Sequence, residues 1–278
     1  MVLDAKATPF SRIWCAFEQA TAVTMDEADR GGKGHLLLDI ATVPTGRSQI
    51  PPGNSDSSCS AQLLTTGLSP AEERMEAFLQ EDGFGESGWL AKSKREEGFP
   101  IGVVREALLE ISVVDAEASK PQDKTNILNS ITGRDAKELD LAPPETHPKY
   151  DEVDRTLKSI FAEAAMRKAV AEGLSLTALK KALRKGTARK ELRFVFSKLE
   201  NFGAAELKCV SQSLPETLQS LTAAFDGCAK LADVAALGAG LEKLQALTSL
   251  NLNFGRSPKS DLIPSTWWRV VTDRWWTW

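Results

Sequence analysis

Leu192-Arg-Phe-Val-Phe196, Leu221-Thr-Ala-Ala-Phe225 and Leu250-Asn-Leu-Asn-Phe254 are three versions of one five-residue pattern, and the interval from the first to the second equals that from the second to the third. In every version the first, third and fifth residues are apolar. That alternation points three side chains to one face of a short strand. Between the second and third versions, Leu231, Val234, Leu237, Leu241 and Leu244 supply an apolar helical stripe. A strand and a helix recurring at a fixed interval make a unit that buries its apolar face only against its neighbours, so the spacing predicts a curved, horseshoe-like stack. The alternate positions Arg193, Val195, Thr222, Ala224, Asn251 and Asn253 are mostly small or polar. They are expected to point outward and form a concave surface without a deep cavity, which carries any contacts with another protein.

This unit resembles a leucine-rich repeat. The resemblance implies protein binding, and a scaffold for interaction or signalling is the function expected first.

The rest of the chain has a different organisation. Residues 9–25 read as a helix with Pro9 in its first turn and Ile13, Trp14, Phe17, Ala20 and Thr21 along one side. A Gly-rich turn (Gly31, Gly32, Gly34) precedes a short apolar run from His35 to Val43 that reads as a buried strand, and residues 44–60 read as an exposed loop. Ser69-Pro70 followed by Glu72 and Glu73 opens a helix to about Gln80, whereas 81–100 reads mostly as loop. Val103 to Leu109 suggests a helix leading into a short strand, Ile111 to Val114. Lys120-Pro121 opens another helix, with Ile127, Leu128 and Ile131 inward and Gly133 as its stop. Pro143, Pro144 and Pro148 mark a linker. Two helices, about 150–172 and Ser175 to Lys185, then lead into the first ladder strand.

Near the N-terminus, Ser11-Arg-Ile-Trp14-Cys15-Ala-Phe-Glu18 puts Trp14 and Glu18 at helical i, i+4 spacing, on one helix face. The pattern Ser-x-x-Trp-Cys-x-x-Glu resembles the third helix of Toll/interleukin-receptor (TIR) domains, especially those joined to leucine-rich repeats in innate-immunity-type proteins. Leu108 to Ala118, then Pro121-Gln-Asp and Ile127 to Gly133, are similar to the closing strand and helix of TIR-like domains. In family members that hydrolyse NAD, the glutamate of this motif binds the nicotinamide ribose and favours its cationic transition state. The resemblance therefore implies a catalytic role for Glu18 in an alternative reading with NAD as substrate. A complete TIR-like domain places half of its parallel sheet and its nucleotide-holding loops before this helix, whereas here only the short segment from Met1 to Phe10 precedes Ser11. A partial TIR-like unit without a resident cofactor is the expectation. A fragment of a longer receptor-like protein, without activity of its own, is a further alternative. Self-association is compatible with the family's tendency to assemble.

The expected fold class is thus α/β: a partial TIR-like layered unit (1–134), a linker (135–149), a helical entry with leucine-rich-repeat-like units forming a short solenoid (150–257), and a Trp-rich tail (258–278). The net charge of −4 divides unevenly, with 15 Lys/Arg against 24 Asp/Glu in residues 1–150 and 19 against 14 in 151–278. That division argues against a uniformly basic nucleic-acid binder. Cys15, Cys59, Cys209 and Cys228 are scattered without CxxC pairs, and His35 and His147 lie far from them. No metal site is expected, and reduced thiols suit a cytoplasmic protein.

Arg30-Gly-Gly-Lys-Gly34 lacks phosphate-loop spacing and reads as a turn. Lys180, Lys181, Arg184, Lys185, Arg189 and Lys190 form the densest basic run. It is a candidate for anion binding, set against a solvated helix face. The tail, from Trp267 to Trp278, is compatible with a cap on the stack, a membrane-interface contact or a misjoined end.

Overall fold

The computed structural model describes residues 2–24, 39–42, 62–65, 68–82, 87–186 and 190–254. It mixes helices with two small sheets, an α/β arrangement. The Gly-rich turn at 31–34, the expected loop at 44–60 and the tail at 258–278 lie outside those residues. The chain divides into two compact units, residues 1–164 and 165–278.

The first unit contains β1 (Val2–Leu3), α1 (Ile13–Thr24), β2 (Asp39–Thr42), β3 (Gln62–Thr65), α2 (Pro70–Asp82), α3 (Gly88–Glu96), α4 (Ile101–Glu110) and α5 (Pro121–Thr132), and ends within α6 (Pro148–Ala171). β1 pairs parallel with β2, matching Leu3 to Thr42. β2 pairs antiparallel with β3, matching Ile40 to Leu64. The antiparallel pair departs from the parallel sheet that the TIR resemblance implies. Leu3, Ile40 and Leu64 are buried and join a core with Phe10, Ile13, Phe99, Ile111 and Phe161. Phe10 meets Phe161 edge to face at 5.2 Å.

Four local expectations are corrected here. Pro9 lies in a 3-10 turn, Thr8–Ser11, and the α-helix begins only at Ile13. Its start is stitched to a remote segment, since Ile13 N–H donates to Glu117 O at 3.0 Å and Glu117 N–H to Ser11 O at 2.7 Å. This stitching turns Ile13, Ala16 and Ala20 inward and leaves Trp14 47% exposed, so the buried stripe differs from the one expected. Within 81–100 the chain forms α3 rather than mostly loop. Ser87 Oγ caps it by accepting from Trp89 N–H, and Lys94 and Arg95 stand in its last turn. Gly88 lets α3 start against α2, because a Cβ there would lie 1.9 Å from Glu72 O.

The expected strand from Ile111 to Val114 is a turn. Ile111 and Val113 are fully buried, but Val113 N–H donates to Asp154 Oδ1 at 2.9 Å instead of to a neighbouring strand. Of the strand expected from His35 to Val43, the described part is β2, Asp39–Thr42, and the rest lies outside the described residues.

Helix stops follow the glycines. Gly133 has φ 85° after α5, and Gly173 has φ 64° after α6. The segment after α5 is held to that helix, since Asn129 Nδ2 donates to Leu139 O at 2.8 Å and Leu141 O at 2.6 Å.

The second unit carries the end of α6, then α7 (Thr177–Lys185), β4 (Glu191–Val195), α8 (Ala204–Ser211), β5 (Ser220–Ala224), α9 (Ala235–Leu241) and β6 (Ser249–Asn253). The three strands make a parallel sheet in the order β4-β5-β6. Leu192 pairs with Leu221 and Leu221 with Leu250, so each residue faces its counterpart in the next repeat.

The equivalence extends into the turns. Gln219 and Ser220 N–H both donate to Lys190 O, and Thr248 and Ser249 N–H both donate to Gln219 O. Lys198 (φ 62°) and Gly227 (φ 68°) take the same left-handed conformation after successive strands. Leu199 N–H donates to Phe196 O as Cys228 N–H does to Phe225 O. Register alone then stacks the rings: Phe196 and Phe225 lie 5.8 Å apart at 16°, and Phe225 and Phe254 5.1 Å apart at 15°. Phe202 packs beside both Phe196 and Phe225. Leu192, Phe194, Leu221 and Ala223 are buried, whereas Leu250, Leu252 and Phe254 of the last repeat are half-buried.

Phe225→Ala removes the central ring of this column. We expect a loss of about 3–5 kcal/mol, read as a lower denaturant midpoint, against almost no change for Glu18→Ala. A second expectation concerns Asp154. Burial is the main influence and raises its carboxyl to about 6, the Val113 N–H and Lys158 acting the other way. Because the folded-state value lies above the ordinary 3.8, the native state holds the proton more tightly. Stability therefore falls as pH rises from about 4 to about 6, then levels off. Asp154→Asn keeps an acceptor for Val113 and is expected to flatten that part of a stability-against-pH curve.

Candidate functional site

The side chains that alternate with the buried ladder form rows across the sheet. Register aligns Arg193 with Thr222 and Asn251, and Val195 with Ala224 and Asn253. Neighbouring members of a row are about 4.8 Å apart, the spacing of paired strands. Arg193, Asn251 and Asn253 are exposed, and Val195, Thr222 and Ala224 are half-buried. A third row, Glu191, Ser220 and Ser249, lies on the same face and was missed in the sequence, although the same period-2 count identifies it. The backbone groups between strands are used in the ladder, so this face presents side chains alone. Small polar groups with one cation and one carboxylate equip it for recognition by shape and hydrogen bonding.

The basic run does not stay together. Lys180 and Arg184, one turn apart on α7, line a groove of about 360 Å³, whereas Lys181 and Lys185 are not part of its lining. Lys190 is exposed just before β4, where its carbonyl anchors the turn into β5, and Arg189 lies outside the described residues. The groove adds Lys208 from α8 and Lys243 from the turn after α9. Neither was singled out in the sequence, because each is an isolated lysine in its own segment. Glu216 is the one carboxylate among the lining residues, 4.0 Å from Arg184, and Lys180 Nζ donates to Gln212 Oε1.

Leu214 and Leu244 are buried at the floor of the groove. Gly240 sits there too, and a Cβ on it would come within 2.8 Å of Ser211 Cβ. Ser211 and Gly240 occupy equivalent places in successive repeats, and their small size is what lets α8 and α9 approach.

In the first unit, Trp14 and Glu18 are exposed together on α1. Among the described residues, the buried carboxylates Glu72 and Glu96 lie elsewhere, between β3, α2 and α3. Arg95 Nε donates to Glu72 Oε1 at 2.9 Å and its Nη2 to Glu72 Oε2 at 3.1 Å, while Ser69 N–H also donates to Oε2 at 2.8 Å. Burial works to raise the Glu72 carboxyl, but Arg95 and Ser69 outweigh it and hold it below the usual range. Glu96 accepts from Thr65 N–H at 2.7 Å and Lys92 Nζ at 2.7 Å, yet burial leaves its carboxyl raised. With both oxygens of each carboxylate engaged, this cluster clamps β3 to the two helices.

Cys228 is buried, with Sγ donating to Phe196 O at 3.1 Å, and burial pushes its thiol up. Cys15 and Cys209 are half-buried free thiols. Among the described residues, no three His, Cys, Asp or Glu side chains cluster to hold a metal ion, and no helix is long and apolar enough to cross a membrane.

No protein-family model matches the chain, and it has no match among curated proteins or solved structures.

Arg95→Ala would leave the Glu72 carboxylate buried without its guanidinium. We expect a loss on the order of 3 kcal/mol in denaturant unfolding, partly recovered by adding Glu72→Gln, which removes the stranded charge.

Proposed function

We propose that residues 165–254 are a short leucine-rich-repeat-like solenoid, and that the chain is a cytoplasmic interaction or signalling scaffold binding a protein partner through the exposed sheet face. One observation carries this reading: β4, β5 and β6 pair in parallel, and every residue meets the equivalent residue of the neighbouring repeat. That register repeats the turns and buried rings as well as the strands, and it sets Arg193, Thr222 and Asn251 in a line open to a partner. The small side chains of this face, held on a hydrogen-bonded ladder, lose little conformational entropy on binding, an advantage for a recognition surface. In the same proposal the first unit is a TIR-like companion, a reading supported by the Ser11, Trp14, Cys15 and Glu18 pattern.

The test is direct. A partner recovered with the wild-type chain, or a second copy of the chain, is titrated against Arg193→Glu combined with Asn251→Asp. Affinity is expected to fall about tenfold or more, because the pair adds like charge and desolvated carboxylate at both ends of the central row of the surface. Unchanged affinity with an intact fold removes the sheet face from the proposal.

A further inference from the structure

The groove walled by α7, α8 and α9 is a second binding site, and we propose that it takes an acidic, partly apolar peptide segment of a partner protein. Lys180, Arg184, Lys208 and Lys243 converge on it from two helices and a turn, opposed by Glu216 alone. Glu216 already faces Arg184, and Lys180 is bonded to Gln212. The side-chain ammonium groups of Lys208 and Lys243 have no hydrogen-bond or ion-pair partner among the described residues. Two cations at the rim of a concave site are thus uncompensated by the fold itself.

The chemistry of the groove selects among anions. Lysine binds phosphate and carboxylate alike as a point charge, but here three of the four cations are lysines on flexible stems rooted in separate segments, not the converging backbone N–H groups that grip one compact phosphate. Such a distribution suits several carboxylates spaced along an extended chain. Single-stranded nucleic acid binds on aromatic platforms, and no aromatic residue lines the groove.

The floor is apolar, with Leu214 and Leu244 buried and Ala239 exposed beside them. It gives an apolar side chain a place between flanking acids. A volume of about 360 Å³ accommodates a few side chains, at the small end of ligand-sized pockets. The site uses different residues from the sheet face and stands or falls separately.

Fluorescence anisotropy with a labelled short peptide alternating glutamate and leucine tests this on the full chain. The wild type is expected to bind it, more weakly as salt rises. Lys208→Glu with Lys243→Glu should weaken binding about tenfold or more, and so should Ala239→Trp, which fills the floor without changing charge. A lysine-leucine peptide should not bind, and Arg193→Glu with Asn251→Asp should leave affinity unchanged. Circular dichroism checks each fold, and if the glutamate pair disturbs it, Lys208→Gln with Lys243→Gln gives the same readout. The proposal is overturned by affinity indifferent to the lysine pair and to Ala239→Trp, by equal binding of the lysine-leucine peptide, or by equally effective displacement with inorganic phosphate or a single-stranded RNA.

Discussion

Parallel pairing at a constant step from repeat to repeat is the constraint on which the second unit depends. A parallel ladder holds neighbouring strands about 4.8 Å apart and offers no freedom to stagger them once their apolar faces are committed. Phe196, Phe225 and Phe254 therefore lie over one another with nearly parallel rings, and Phe202 fills the side of the column. The same step repeats the left-handed turn residue at Lys198 and Gly227, and the shared-carbonyl turns at Lys190 and Gln219. The small pair Ser211 and Gly240 repeats it on the helices. A one-residue slip would send the Phe column to the outer face, so register protects core and surface together.

Both candidate binding surfaces inherit their geometry from that step. On the sheet, it converts scattered polar residues into rows. On the helices, closeness at Gly240 brings the turn bearing Lys243 into the same groove as Lys208 and the α7 cations. The first unit is organised differently. Its small sheet is closed by a buried ionic clamp around Arg95, and its helices are tied by single long-range hydrogen bonds from backbone to side chain.

Much of this was legible in the chain itself, and the reason is locality. The three strands follow from alternation, although each runs one residue earlier than the ladder pattern and leaves Phe196, Phe225 and Phe254 just past its end, and their pairing follows from the repeat, because equivalent units meet equivalent units. The helix beginning at Pro70, the helix from Pro121 to Gly133 and the end of α6 at Gly173 follow from caps and glycine conformations that need no distant partner.

What tertiary structure alone decided is whatever a distant residue controls. α3 is a short, charged stretch, and its stability comes from packing on α2 and from the Glu72 carboxylate, 23 residues before Arg95. Ile111 to Val114 has strand composition but no strand, since Asp154, 41 residues beyond Val113, takes the N–H a ladder would need. Trp14 faces outward because Glu117 fixes where α1 begins. The groove needed the fold most of all: sequence order grouped Lys180 with Lys181, whereas packing grouped it with Lys208 and Lys243. Periodicity is carried by each segment alone, but burial of charge and convergence of cations are properties of segments brought together.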